Sequence, residues 1–134
     1  MFKLGEIIDV KKAKSLNPIV LAFIGDAVYS LFVREKLALL SDCKTGELNK
    51  RAVAEVNAVA QAEFVREIMP MLSDEEMQIF KRARNAKKST KSKSATVIDY
   101  HLSTGFEALI GFLYITGQID RLNFILNRGK GNEN

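Results

Sequence analysis

Apolar residues recur along most of the chain at the three-to-four-residue spacing of helices, and no segment alternates as a strand would. The pattern predicts an all-α bundle of five to seven helices. Asn17-Pro18 reads as a helix start, the Asn accepting from an orphan N–H and the Pro losing nothing by lacking its own. The helix from 18 to about 40 is almost wholly apolar in its first half, and Arg34, Glu35 and Lys36 mark where it meets solvent. After a polar connection from Ser41 to Gly46, Thr45 is the expected cap of a helix over 47–68, ended by Pro70. Its inner stripe is predicted to be Leu48, Ala52, Val56, Val59, Glu63 and Arg66, flanked by Val53, Ala60, Phe64 and Ile68. Asn49, Arg51, Asn57, Gln61 and Glu67 are assigned to the outside.

Ser73-Asp74-Glu75-Glu76 has the form of a capping box and opens a helix over 74–86 through Met77, Ile79, Phe80 and Ala83. Lys87 to Ser94 contains no large apolar residue and reads as a solvated loop. The next helix starts between Ser94 and Thr104. An early start is preferred, because it lines up Val97, Tyr100, Thr104, Glu107, Ala108 and Gly111 on one face through to Thr116-Gly117. Asp120 to Arg128 makes a last helix closed by Gly129, and Lys130 to Asn134 should fray. Residues 1–15 fit either a short amphipathic turn or a tail packed on the body. The whole chain, 1–134, is expected to be one domain.

Two acids interrupt this pattern. Asp26 sits in Phe23-Ile24-Gly25-Asp26-Ala27-Val28 and Glu107 in Thr104-Gly105-Phe106-Glu107-Ala108-Leu109-Ile110-Gly111, each with glycine nearby. An ionised carboxylate on an apolar helix needs a cation, a basic partner or a cleft. Two helices crossing closely at their glycines could bring both acids to one hard divalent ion, with water filling the other Mg²⁺ positions. Other readings stay open at this point. Thr104-x-x-Glu107 is itself a capping-box pattern, and Asp26 could form a structural ion pair with Arg82 or Arg84.

Composition narrows the chemistry. The apolar fraction of 47% and charged fraction of 27% are those of a globular protein, and no stretch is long and apolar enough to span a membrane, so a cytoplasmic protein is expected. Lone Cys43 excludes an internal disulfide or a cysteine zinc site, and reads as a small, partly buried apolar residue. His101, the single histidine, reads as a loop or helix-surface residue. Neither a G-x-S-x-G elbow nor a phosphate-binding glycine loop occurs. The net charge of +4 is concentrated in Lys81, Arg82, Arg84, Lys87, Lys88, Lys91 and Lys93; without these seven, 13 cations face 16 acids. A polyanion is the partner such a segment fits.

The motif Phe23-Ile24-Gly25-Asp26-Ala27-Val28 resembles the signature helix of the ribonuclease III family, and Phe106-Glu107-Ala108-Leu109-Ile110-Gly111 resembles its second acidic helix. Arg82-Ala83-Arg84-Asn85-Ala86-Lys87 and Ser103-Thr104-Gly105-Phe106-Glu107 are similar to the Mini-ribonuclease III branch, which has the catalytic domain without an appended double-stranded-RNA-binding domain. The resemblance covers roughly residues 16–128. It implies a homodimeric, Mg²⁺-dependent endoribonuclease that cuts double-stranded RNA and matures the 23S ribosomal RNA precursor, with ribosomal proteins as further candidate partners. It also implies Asp26 and Glu107 as the catalytic, metal-binding acids, with a water activated by the metal attacking phosphorus in line. At Ala22 and Thr104 the larger ribonuclease III pattern has acids that this chain lacks, as the Mini branch does. Arg82, Arg84, Asn85, Lys87 and Lys88 are the candidate RNA contacts, and Tyr29, Phe32, Val33 and Phe64 the candidate dimer-interface residues. The rival reading is a non-catalytic helical protein that binds double-stranded RNA.

Overall fold

The computed structural model describes residues 3–40, 44–86 and 96–129. Cys43, Lys87, Lys88, Lys91 and Lys93, the loop expected over 87–94 and the tail from Lys130 lie outside these residues. Among the described residues there are seven α-helices and no strand: α1 Val10–Ser15, α2 Pro18–Leu40, α3 Thr45–Val56, α4 Ala58–Ile68, α5 Asp74–Ala86, α6 Val97–Ile115 and α7 Ile119–Leu126. A 3-10 turn, Met69–Met71, follows α4 at Pro70. None of these helices is long and apolar enough to cross a membrane.

The fold is built on α2 and α6, which form its most extensive helix pair, with α4 and α5 packed on α6. Two glycines set the approach. A Cβ on Gly25 would overlap the Glu107 carbonyl oxygen and come 2.8 Å from the Gly111 nitrogen, and one on Gly111 would overlap the Leu21 carbonyl oxygen. Only a residue without a side chain lets the backbones touch here. Beside the crossing, the Tyr29 ring meets Phe106 edge-on at 5.0 Å and Phe64 at 5.9 Å, joining α2, α6 and α4. Burial pushes the Tyr29 hydroxyl up to about 12, with Glu55 adding to the rise and Arg128 opposing it. Tyr29, Val33 and Phe64 belong to the core of the chain's own fold, which leaves them no exposed surface for an interface, and Phe32 is half-buried against that core.

The helix expected over 47–68 is two helices. Asn57 leaves helical geometry at φ −74°, ψ 162°, and its side chain accepts from the Ala60 N–H, which caps α4. Lys44, rather than Thr45, occupies the N-cap of α3. The break re-phases the inner face: Gln61, Ala62, Phe64, Val65 and Ile68 are buried, while Glu63 and Arg66 are exposed.

The capping box at Ser73 forms reciprocally, with the Ser73 N–H donating to Glu76 at 2.8 Å and the Glu76 N–H to the Ser73 hydroxyl at 3.2 Å. Glu76 is buried and also takes Arg121 of α7 in a two-pronged pair at 2.7 and 2.8 Å. Burial alone would raise the Glu76 carboxyl, but the hydrogen bonds and charge of Arg121, with those of Ser73, hold it below its ordinary value. The early start of α6 is observed, Thr96 accepting from the Asp99 N–H. The N-terminal segment packs on the body, the Leu4 N–H donating to the Tyr114 hydroxyl and the Ile8 N–H to the Ile115 carbonyl.

Candidate active site

Where α2 and α6 cross, with α4 beside them, a cleft of about 330 Å³ opens. Ala22, Phe23 and Asp26 line it from α2, Gln61 from α4, and Tyr100, Ser103, Thr104 and Glu107 from α6. Asp26 and Glu107 thus share one concavity, as the paired glycines led the sequence reading to expect. Asp26 is exposed at the mouth rather than buried, and among the described residues no cation pairs with it. The alternative left open, an ion pair of Asp26 with Arg82 or Arg84, is not formed. Arg82 donates to the Lys14 carbonyl at 2.8 Å, and Arg84 reaches Asn85 at 3.1 Å and lies over the Phe80 ring. Glu107 stands in the middle of α6, three turns from its N-terminus, which overturns the capping reading of Thr104-x-x-Glu107. Thr104 instead donates to the Tyr100 carbonyl at 3.1 Å.

The sequence reading missed Gln61, having assigned it to the outer face. It is buried, its amide NH₂ directed to Glu107 Oε2 at 3.4 Å and its carbonyl accepting from the Ser103 hydroxyl. The signal was Asn57: a cap there shifts the helical phase enough to turn position 61 inward. His101 is also placed differently from a free surface residue. It is half-buried on α6 with Nδ1 2.7 Å from the Arg84 carbonyl, and since a carbonyl only accepts, Nδ1 carries the proton.

Of the described candidates for RNA contact, Arg82, Arg84 and Asn85 do not line the cleft. Arg82, Arg84 and Asn85 end α5, which packs on α6 through Phe80 at Gly105 and Arg84 at His101. That face of α6 is offset from the one carrying Ser103 and Glu107. Ala22 and Thr104, where the larger ribonuclease III pattern has acids, both line the cleft. No group of three or more potential metal ligands exists among the described residues. The donor set is two carboxylates in a cleft with room for several waters. It suits a hard divalent ion that keeps most of its hydration, and it offers nothing to a soft metal.

A sequence model described as the ribonuclease III domain matches residues 19–118, and the chain belongs to the ribonuclease III family. It is an endoribonuclease of that type. Within the family it is similar to proteins named Mini-ribonuclease 3. That of Thermoanaerobacter sp. (strain X514) is 46% identical over 90% of this chain and 85% of its own length, and that of Clostridium tetani 43% identical over 92% and 82%. A crystal structure of a protein from Fusobacterium nucleatum superposes with a TM-score of 0.76 at 34% identity, covering 84% of this chain and 90% of the other. The branch is the one that Arg82-Ala83-Arg84-Asn85-Ala86-Lys87 and Ser103-Thr104-Gly105-Phe106-Glu107 resemble.

Proposed function

We propose that the protein is a Mg²⁺-dependent endonuclease for double-stranded RNA, with Asp26 and Glu107 as the acids that hold the ion in each subunit. The observation that carries this reading is the meeting of these two acids on one cleft at a glycine-lined helix crossing. When bound there, Mg²⁺ would make water a stronger nucleophile at neutral pH and offset charge building on the phosphate. Asp26 is exposed at the mouth, and among the described residues no cation pairs with it that an ion would have to displace. Glu107 is fixed by its place on a buried helix, and Thr104 offers a hydroxyl oxygen beside it. The Ser103 and Thr104 hydroxyls in the cleft are already committed as donors, to Gln61 and to the Tyr100 carbonyl, which favours water over a side chain as the nucleophile and a hydrolysis without a covalent enzyme intermediate.

The whole chain acts as one catalytic domain, and two copies form the working unit. Supporting this is an apolar stripe on α2, where Phe23 is 79% exposed and Leu31 52%. With Leu4, Ile24, Ala27 and Tyr114 they line a groove of about 410 Å³ that also reaches Asp26. A second copy seated on this face would bury the stripe and set two clefts side by side, one for each strand of a duplex. Phosphate contacts come from Arg82, Arg84, Asn85, Lys87 and Lys88, which would read A-form shape and backbone. By its resemblance to the Mini branch, its substrate is the 23S ribosomal RNA precursor in the cytoplasm.

Purified protein incubated with duplex and with single-stranded RNA tests the reading. Cleavage of the duplex alone, stopped by EDTA and restored by Mg²⁺, is expected. Cleavage that persists in the chelator, or that favours the single strand, contradicts it.

A further inference from the structure

Gln61 is 1% exposed, and a primary amide is costly to bury unless both its ends are hydrogen-bonded. Both ends are bonded, and both partners stand on α6 one turn apart. Ser103 donates to the amide oxygen, and the amide nitrogen faces Glu107 Oε2 at 3.4 Å. The direction of this chain of bonds is dictated by its last member. An ionised carboxylate only accepts, so the amide must present its NH₂ to Glu107 and its oxygen to Ser103, whose hydroxyl must then donate. The contact to Glu107 is long, so its effect is on the carboxylate's orientation more than on its energy. A neutral donor is also the choice that leaves the site's charge alone. A lysine at this position would compete with a cation, and a third carboxylate would repel Glu107 when no cation is bound.

We infer that Gln61, anchored by Ser103, is a positioning residue that sets the Glu107 carboxylate for the divalent ion. The inference rests on the reading of Glu107 as a metal-holding acid. Outer partners of this kind govern metal affinity by about 10- to 100-fold. They matter most where few protein ligands hold the ion, and here two acids line the cleft.

The test uses Gln61→Met, which keeps the length and loses the amide, and Ser103→Ala, which removes the anchor. Mn²⁺ binding to the RNA-free protein is followed by electron paramagnetic resonance, and the Mg²⁺ concentration for half-maximal duplex cleavage is measured in parallel. Expected for Gln61→Met are about tenfold weaker Mn²⁺ binding and a tenfold higher Mg²⁺ requirement, with KM for RNA at saturating Mg²⁺ unchanged. Ser103→Ala should move both in the same direction by less, and it decides the matter should the Met variant fail to fold. Unchanged Mn²⁺ affinity and Mg²⁺ requirement would overturn the inference, as would a loss of activity equal at every Mg²⁺ concentration. Glu107→Gln separates the two levels: if it cleaves at the normal rate, the reading of Glu107 fails, whatever Gln61 does.

Discussion

Asp26 shows how a residue can be legible in type and misread in setting. Its neighbours on α2 are apolar on nearly every side, which suggests a buried acid in need of a cation, yet it is exposed at the mouth of a cleft. The apolar surroundings include Phe23 and Leu31, which are themselves exposed, so hydrophobic sequence here does not signal the chain's own core. Because Asp26 is exposed and unpaired among the described residues, Asp26→Asn should change stability by no more than about 0.5 kcal/mol. Cleavage should fall at least about 100-fold. Urea denaturation and a duplex-cleavage assay check the two halves, and normal cleavage by a folded variant removes Asp26 from the mechanism. Gln61 is the opposite case, a residue whose type was plain and whose direction depended on a cap four positions earlier.

At the scale of elements, the boundaries with a chemical stop or start were readable from sequence. Asn17-Pro18, the Ser73 capping box and Pro70 all act where the residue pattern put them. The division of 47–68 was not, because Asn57 suits an exposed helical site as well as a cap and only tertiary packing decides between them. Asn57→Ala should cost about 1 kcal/mol in urea denaturation by removing the α4 cap. A neutral result would mean that packing alone holds the break. The α2–α6 crossing is far less tolerant. Gly25→Ala or Gly111→Ala drives a methyl into backbone atoms that cannot move aside, and should destabilise by about 3 kcal/mol or more. The α5–α7 clasp adds a pH dependence. Since Glu76 is held below its ordinary value of 4.5, its stabilisation is present in full above that pH and is lost as pH falls through the lowered folded-state value. The stability gap between wild type and Glu76→Gln should therefore narrow on acidification. A gap that stays constant from pH 7 to pH 3 would contradict the role given to the Arg121 pair.

For the molecule as a whole, the described residues keep the acids of the cleft apart from Arg82 and Arg84 at the end of α5. The acids gather on the α2–α4–α6 cleft, the positive charge is concentrated around the end of α5 and the segment after it, and the exposed apolar stripe adjoins the cleft. Neutralising Lys87, Lys88, Lys91 and Lys93 together should make the slope of log affinity for duplex RNA against log salt shallower by about 3. An unchanged slope would mean that this segment does not touch phosphate. The all-α class, the central helices and the two acids were legible because each departs from an otherwise simple helical pattern. Gln61, which lines the cleft from α4, was hidden by a phase shift at Asn57, a residue that fits an exposed helical position as well as a cap.

The central claim is that Asp26 and Glu107 hold one divalent ion between them. Anomalous diffraction from crystals of the protein loaded with Mn²⁺ measures this directly. A single manganese peak for each chain, within coordination distance of both carboxylates or joined to them through its own waters, is the predicted result. A peak on one acid alone, or an ion bound elsewhere in a protein that still cleaves duplex RNA, would contradict it.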